Sequence, residues 1–164
     1  MHDLSLYLLE VIENSVRAGA TTVATRIVAD RVADLLTIAV DDDGPGLPVP
    51  PAEVLDPFFT TKAGKKTGLG LSLFRQEAEA AGGGLRMGHS QLLGGVEVEA
   101  WMQLTHVDRP PLGDVATTLV AMAAANPEVF FTVDLRDGEA HVLVKGAELP
   151  QQMPQLVAFQ EALT

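Results

Sequence analysis

Two glycine-rich segments restrict the fold of this chain more than any other feature of its sequence. DDDGPGLP, at residues 41–48, directly follows the apolar run LLTIAV, and TGLGLS, at residues 67–72, opens a run with apolar residues at helical spacing. Glycine allows backbone conformations and close approaches that a Cβ atom would prevent. The first segment therefore predicts a loop at the end of a strand, and the second predicts a turn that leads into a helix.

The remaining pattern of apolar residues predicts further helices and strands. A first helix is expected at residues 3–18, where Asp3 can cap its start and Gly19 can end it. Its inward-facing positions recur at helical spacing, at Leu4, Leu8, Val11, Ile12 and Ser15. The other elements are expected as strands at 22–28 and 35–41, a helix from 68 toward the glycines at 82–84, and strands at 85–90 and 96–104.

The segment HVDRPPLGD, at residues 106–114, interrupts this pattern with paired prolines and predicts a boundary. Beyond it we expect a helix at 114–125, a strand from Val129, a turn at Asp137–Gly138, a strand to Lys145 and a short helix from Met153. We therefore predict a domain at residues 1–106 and a small α-β-β-α extension at 107–164. A piece of this size is marginal on its own, so it is expected to pack on the first domain. The prolines are interpreted as a rigid linker, with a partner-docking segment as the alternative.

Composition excludes several classes of function. The absence of cysteine removes disulfides, thiol nucleophiles and cysteine-based zinc sites. A formal net charge of -11 repels nucleic acid and anionic membranes, so neither is expected as a partner. No apolar run reaches the length needed to span a membrane, and no secretory leader is recognisable. We expect a soluble, cytoplasmic protein.

The first helix carries three polar side chains that suit phosphate chemistry. Glu10 and Asn14 lie four residues apart, hence on one helix face, and Arg17 continues that face. The Glu10 carboxylate can accept a proton from an attacking water or hydroxyl group. The Asn14 oxygen can bind Mg²⁺, which prefers oxygen ligands, and Arg17 can reach a phosphate. A solvated helix face is the alternative interpretation.

The loop after the second strand begins with Asp42 and contains Gly44 and Gly46. An ionised aspartate only accepts hydrogen bonds, so Asp42 can pair with the exocyclic amine of adenine, whereas guanine carries an oxygen at that place. The glycines let the backbone approach a flat base. An aspartate-rich turn is the alternative. A calcium loop does not fit, because Pro45 falls where a third ligand should lie and no glutamate closes the loop.

Two further segments suit the binding of a polyphosphate. DPFFTTK, at residues 56–62, is followed by Lys65 and Lys66, so aromatic side chains can anchor a loop whose lysines offset the acidic surface. The alternative is a solvated loop over core phenylalanines. At residues 68–72, glycines open a helix whose free N–H groups can bind phosphate. This segment is neither a P-loop nor a dinucleotide-binding pattern, because it lacks the Gly-Lys-Ser/Thr ending and the third glycine.

Together these segments resemble the GHKL superfamily over about residues 1–105. EVIENSVRAGAT resembles the N-box of mismatch-repair ATPases. DDDGPGLP and DPFFTTK…KKTGLGLSL resemble the first glycine box, the phenylalanine box and the second glycine box of sensor histidine kinases. The resemblance implies the Bergerat ATP-binding fold, an α/β two-layer sandwich with a mixed, mainly antiparallel sheet and helices on one face. Nucleotide would lie between helices and sheet, under a lid at residues 60–67.

The resemblance also implies ATP and Mg²⁺ as cofactors and a role for individual residues. Asn14 matches the Mg²⁺-binding asparagine, and Asp42 matches the adenine-binding aspartate. Glu10 matches the hydrolytic base of gyrase-like and mismatch-repair-like ATPases and of anti-sigma serine kinases. Arg17 lies where histidine kinases often have a phosphate-contacting lysine. The other implied nucleotide contacts are Gly44, Gly46, Thr61, Lys62, Gly68, Leu69, Gly70 and Leu71. One departure is Val96, which follows two glycines where many relatives have a threonine that helps to hold adenine.

The resemblance leaves the activity open between several classes. Only nine residues precede Glu10, too few for the hairpin that bears the acceptor of histidine kinases, so a kinase role requires an acceptor on another protein. The histidines at 89, 106 and 141 are interpreted as surface or packing residues. We expect a small bacterial, histidine-kinase-like or anti-sigma-like protein kinase component, or a slow ATPase, that works with a protein partner. An ATP-dependent conformational switch and a non-catalytic nucleotide-binding module are the alternatives, and a homodimer is left open.

Overall fold

The computed structural model of this protein describes residues 3–47 and 69–163. The helices are α1 (Leu4–Arg17), α2 (Leu69–Ala80), α3 (Val115–Ala125) and α4 (Met153–Ala162). The strands are β1 (Thr22–Asp30), β2 (Leu35–Asp42), β3 (Gly84–His89), β4 (Val96–Gln103), β5 (Phe130–Asp137) and β6 (Ala140–Lys145). Two short 3₁₀ turns, Gly146–Glu148 and Pro150–Gln152, connect β6 to α4.

The six strands form one sheet in the order β3-β4-β2-β1-β5-β6. Every neighbouring pair is antiparallel except β1 and β5, which run parallel from the pair Thr22–Phe130 to the pair Ala29–Asp137. The sheet is therefore mixed and mainly antiparallel, which confirms the fold class predicted from the sequence.

One face of the sheet is covered by helices and holds the core. In β1, Val23, Thr25, Ile27 and Ala29 are buried, while the residues between them are partly exposed. This alternation is expected for a strand with one covered face, because successive side chains point to opposite faces. Helix α1 packs on β1 and β2, α2 packs on β3 and β4, and α3 and α4 continue the helical layer beside α1. The two-layer architecture is thus confirmed.

Helix α1 is closed at both ends in the way its sequence predicts. The Asp3 carboxylate accepts a hydrogen bond from the Leu6 N–H at 3.0 Å, and Gly19 after the helix takes a φ of 96°. A left-handed residue after a helix is usually glycine, because it has no Cβ atom to clash. The N–H groups of Leu4 and Ser5 donate to Pro111 and Leu112 carbonyls, each at 2.9 Å. The start of α1 is therefore bonded to a segment more than a hundred residues away in sequence.

The chain after residue 106 supplies two strands to the same sheet as the first domain. Because β5 lies directly beside β1, the two regions share one core. The domain boundary at 106 stays a prediction.

The hairpin loop between β5 and β6 consists of Gly138 and Glu139 and not of Asp137 and Gly138 as predicted, since Asp137 still pairs with Ala140. Within the described parts of the chain, no helix combines the length and apolar character needed to cross a membrane.

Candidate functional site

The Asp42 carboxylate lies buried at the end of β2, where three donors fix it. Its Oδ2 accepts the Ser15 hydroxyl at 2.6 Å, and its Oδ1 accepts the Gly44 N–H at 2.9 Å and the Val96 N–H at 3.0 Å. These donors come from α1, from the loop after β2 and from β4. A buried carboxylate requires such partners, because leaving its oxygens unsatisfied would be costly. The three contacts thus fix the orientation of the Asp42 carboxylate through a helix, a loop and a strand.

Ser15 is the residue that reasoning from the sequence missed as part of this site. It is buried on the sheet-facing side of α1, directly after Asn14. The signal was present, because a serine recurs at a position of the helix that is otherwise apolar. A hydroxyl at such a position needs a buried hydrogen-bond partner, and the structure provides the Asp42 carboxylate.

Glycines pack directly against Asp42. A Cβ atom on Gly95 would overlap the Asp42 carboxylate and backbone, and the Gly95 N–H donates to the Asp42 carbonyl at 2.9 Å. Gly46 has a φ of 89°, which favours glycine over any residue with a side chain. The contact of Val96 with Asp42 is made by its backbone N–H and is therefore independent of its side chain.

The neighbouring Asp43 has a different task. Its carboxylate accepts hydrogen bonds from the Thr21 and Thr22 N–H groups at 2.8 and 2.9 Å, and from the Thr21 hydroxyl at 2.6 Å. The Thr21 hydroxyl, followed by these backbone donors, holds the pKa of the Asp43 carboxyl below its usual range. Asp43 thus ties the loop after β2 to the start of β1.

Helix α1 meets helix α2 at Glu10. A Cβ atom on Gly70 would overlap the Glu10 carboxylate, so this carboxylate lies against the first turn of α2. One turn earlier, the Tyr7 ring stacks on Phe74 with a centroid distance of 4.8 Å. Burial, together with a hydrogen bond to Glu77, raises the pKa of the Tyr7 hydroxyl. The aromatic stack and the small Gly70 together set how closely the two helices approach.

Asn14 and Arg17 occupy the exposed end of the same helix. The Asn14 side-chain oxygen accepts a hydrogen bond from the Arg17 guanidinium at 3.2 Å, and Arg17 also lies 3.9 Å from Glu13. The structure therefore brings Asn14 and Arg17 together, as predicted. The Asn14 oxygen, which is predicted to bind the metal ion, accepts a hydrogen bond from Arg17, which is predicted to contact a phosphate. Among the described residues, no group of three or more His, Cys, Asp or Glu side chains is arranged to hold a metal ion.

The other predicted site residues divide into two groups. Leu69 and Gly70 are the first residues of α2, and Leu71 follows with its side chain buried in the core. Leu71 can therefore offer a ligand only its backbone N–H. Thr61, Lys62 and Gly68, with the predicted lid at 60–67, lie outside the described residues, and their roles stay predictions.

Removing the Ser15 hydroxyl is expected to loosen the Asp42 carboxylate. Ser15→Ala should lower the free energy of unfolding by about 1.5–3 kcal/mol, because the lost hydrogen bond is buried and charged. It should also weaken ATP binding about fivefold, or roughly 1 kcal/mol. Ser90→Ala is the matched control, since the Ser90 hydroxyl donates at 2.6 Å to the adjacent buried Asp41. Calorimetry should show lost stability in both variants and lost affinity only in Ser15→Ala; equal affinities would contradict the role assigned to Ser15.

The chain is similar to known proteins in sequence and in fold. Sensor protein kinase PilS of Pseudomonas aeruginosa is 38% identical over 85 residues, which cover 48% of this chain but only 16% of that protein. The chain thus spans about a sixth of the length of this relative.

Two solved structures share the fold. The Aquifex aeolicus MutL ATPase domain complexed with ADP superposes with a TM-score of 0.52 at 18% identity, over 96% of this chain and 70% of that one. The N-terminal domain of a DNA repair protein superposes with a TM-score of 0.50 at 12% identity, over 88% and 52% of the respective chains. At these identities the likeness concerns the fold alone.

The family model described as "Histidine kinase-, DNA gyrase B-, and HSP90-like ATPase" matches residues 2–106, a span that begins before α1 and ends after β4. This span contains the Asp42 carboxylate with its three donors and the contact between Glu10 and the first turn of α2. The chain therefore belongs to the histidine kinase-, DNA gyrase B- and HSP90-like ATPase family.

Proposed function

We propose that this chain binds ATP with Mg²⁺ and transfers the γ-phosphoryl group to a partner protein or to water. One observation carries the proposal: α1 holds side chains that reach both ends of the predicted nucleotide site. Ser15 bonds Asp42, and Glu10 lies against the start of α2. The two residues are separated by roughly 7.5 Å along the helix axis. A single helix thus links the residue beside the proposed adenine position to the residue beside the proposed phosphate position.

Asp42 is suited to recognise adenine. A carboxylate can accept about four hydrogen bonds, and the three described donors occupy most of these positions. The remaining capacity fits one further donor, which the exocyclic amine of adenine supplies. Guanine presents a carbonyl oxygen there, and two acceptors repel each other. The glycines at 44 and 95 keep the backbone close to this carboxylate without side chains in between.

The start of α2 is suited to receive phosphate. The first N–H groups of a helix lack partners within the helix, and the helix dipole adds positive potential at that end. The Glu10 carboxylate already lies against Gly70 in this first turn, which is consistent with a local environment that stabilises an anion. A phosphate chain from adenine at Asp42 would end beside Glu10. This carboxylate would then accept the proton of the attacking water or hydroxyl group as the γ-phosphoryl group leaves.

Asn14 fits the place of a magnesium ligand. Mg²⁺ is usually held by one or two protein oxygens, by phosphate oxygens and by water, so a single amide oxygen on the same helix as Glu10 is sufficient. When bound, the ion would neutralise charge on the phosphates. In the described structure the Arg17 guanidinium donates to the Asn14 oxygen. The Arg17 side chain is 56% exposed and can turn from Asn14 to a phosphate when the metal binds.

Asn14→Ala is expected to remove most of the dependence of nucleotide affinity on Mg²⁺ and to leave the fold intact, because Asn14 is partly exposed on α1. Titrating ATP with and without Mg²⁺ checks this. We expect about a tenfold gain from the metal in the wild type, in line with one metal–ligand contact, and little gain in the variant. Asn126→Ala is the matched control, since among the described residues its side chain bonds the Met122 carbonyl near the end of α3. A variant that keeps the full metal dependence would make Asn14 a structural residue.

The partner remains part of the proposal. The similarity to a sensor protein kinase over its matched segment supports a protein kinase activity. A second candidate is an ATP-driven conformational switch, which the bonding of the start of α1 to Pro111 and Leu112 favours. In either case we propose a bacterial protein that acts in the cytoplasm with a protein partner.

The direct test is to incubate the purified chain with γ-labelled ATP and Mg²⁺, alone and with a lysate of its host. Label transferred to a protein would support a role as a kinase component, and release of labelled phosphate would support a slow ATPase. ATP that binds but stays unchanged would support a conformational switch or a binding module. Absence of ATP binding in a calorimetric titration at millimolar nucleotide would overturn the proposal.

A further inference from the structure

We infer that Arg109 positions Glu10 from a distance, by fixing the linker that holds the start of α1. This inference rests on the proposed function, because it assigns to Glu10 the role given above. The linker is here the segment of residues 106–113 between β4 and α3. The contacts that carry this positioning effect run from the last turn of α4 through the linker to the first turn of α1.

Arg109 bonds three parts of the chain at once. Its Nε donates to the Leu104 carbonyl, its Nη1 to the Pro110 carbonyl at 3.0 Å, and its Nη2 to the Leu163 carbonyl at 2.9 Å. Its described hydrogen bonds therefore all go to backbone carbonyls, after β4, in the linker and at the end of α4. Only a planar guanidinium offers donors in this fork, whereas a lysine ammonium is a single point. Burial lowers the pKa of Arg109, as expected for a cation enclosed by backbone.

The linker in turn completes the start of α1. The first N–H groups of a helix have no intrahelical partner. Here the Leu4 and Ser5 N–H groups donate to the carbonyls of Pro111 and Leu112. Gly113 has a φ of 76°, and a Cβ atom on it would overlap the Asp3 side chain that caps the helix. The linker conformation that Arg109 fixes is thus the one that α1 requires.

The two ends of α1 are held by different contacts. The start is held by the linker, and the far end by the bond from Ser15 to Asp42. Glu10 lies between them, and its packing against Gly70 leaves no space for a shift toward α2. Displacing the start should therefore misplace Glu10 while adenine recognition at Asp42 is retained. A change in turnover without a change in nucleotide affinity follows from this arrangement.

Arg31 provides a matched control. Its guanidinium also donates to the last turn of α4, at the Ala162 carbonyl at 3.1 Å, and it pairs with Asp137 at 2.8 Å. Its described contacts reach β5 and α4 but not the linker. Loss of either arginine should loosen the end of α4, whereas only the loss of Arg109 should also loosen the start of α1.

The experiment compares Arg109→Ala and Arg31→Ala in the full chain by three measurements: amide hydrogen exchange, ADP affinity and ATP turnover. In Arg109→Ala the Leu4 and Ser5 amides should exchange about tenfold faster or more, because their acceptors are released. Turnover should fall about threefold to tenfold, as expected for a misplaced catalytic group, while ADP affinity stays within about twofold. Arg31→Ala should leave the exchange of the Leu4 and Ser5 amides, the ADP affinity and the turnover near those of the wild type.

Arg109→Lys covers the case in which the alanine variant does not fold. It keeps the charge but not the fork, and it should show the same faster exchange at Leu4 and Ser5. Equal exchange at these amides in the Arg109 and Arg31 variants would overturn the inference, as would a loss of ADP affinity equal to the loss of turnover. A wild type that neither binds nor hydrolyses ATP would refute the proposed function instead, and the exchange comparison would still decide whether Arg109 holds α1.

Discussion

Replacing Asp42 by asparagine is expected to weaken ATP binding by about tenfold or more, corresponding to roughly 1.5–3 kcal/mol for a hydrogen bond to a charged acceptor. The asparagine amide introduces a hydrogen-bond donor at a position where both oxygens of Asp42 accept hydrogen bonds. An asparagine must turn its NH₂ either toward the N–H groups of Gly44 and Val96, which are donors, or toward the Ser15 hydroxyl, which must then accept instead of donate. In either orientation it lacks the negative charge that accepts a hydrogen bond from adenine. Calorimetric titration of ATP against the variant and the wild type measures the loss.

Asp43→Asn is the matched control for this experiment, because it makes the same chemical change one residue further along. Its carboxylate is bonded to Thr21 and Thr22, away from the three donors around Asp42. This variant should lose thermal stability and keep its preference among nucleotides. The wild type itself should bind ATP more tightly than GTP. Equal affinity of the wild type for both nucleotides would remove the basis for assigning adenine to Asp42.

The parts of the fold that follow from local sequence were predicted. Helix α1 begins after Asp3 and ends before Gly19 as expected, because capping residues and apolar spacing act within one or two turns. Strand β2 carries Asp42 to its last position, since the apolar run ends where the glycine loop begins. Strand β1 extends two residues beyond the predicted Val28, because Ala29 and Asp30 still pair with Leu36 and Leu35.

The contacts that join distant segments could not be predicted in this way. Nothing in the sequence of β5 specifies that it pairs in parallel with β1, since the choice between neighbouring strands depends on the whole sheet. The bond between Ser15 and Asp42 joins residues 27 positions apart, and only the unusual polar residue on an apolar helix face indicates it. Arg109 illustrates the same limit, because backbone carbonyls accept its hydrogen bonds and carbonyls carry no sequence signature.

The proposed site residues and the contacts that support them differ in how far the sequence indicates them. The family motifs identify Glu10, Asn14 and Asp42 because these side chains would touch the nucleotide, and motifs record such contacts directly. Gly70 shows what motifs leave out. It was predicted as a phosphate-loop glycine, and the structure gives it a further task, namely to leave space for the Glu10 carboxylate. One small residue thus serves both the proposed phosphate site and the proposed base.

Glu10→Gln is expected to lower ATP turnover or phosphoryl transfer by about 10²–10⁴-fold, the usual contribution of a general base. ATP affinity should remain near that of the wild type, or rise slightly, because the substitution removes a negative charge beside the phosphates. Gln has almost the same shape as Glu and fits the space against Gly70, so the fold should be unchanged. Rates should be measured with the natural partner present, and affinity by calorimetry on the chain alone.

Two further variants separate the chemistry of Glu10 from its position. Glu13→Gln makes the same change on the same helix at an exposed position that only pairs with Arg17 among the described contacts, and it should keep full activity. Gly70→Ala keeps the Glu10 carboxylate but forces it out of its place, since the added Cβ atom overlaps it. The ATP affinity of this variant must be measured as well, because Gly70 also belongs to the proposed phosphate site. If Glu10 is the base, this displacement should also lower turnover strongly, because proton transfer requires hydrogen-bond contact with the attacking group.

Full activity of Glu10→Gln with the partner present would show that Glu10 is not the base. The proton would then be accepted by a carboxylate beside the acceptor on the partner, which would favour a kinase divided between two proteins over an ATP-driven switch.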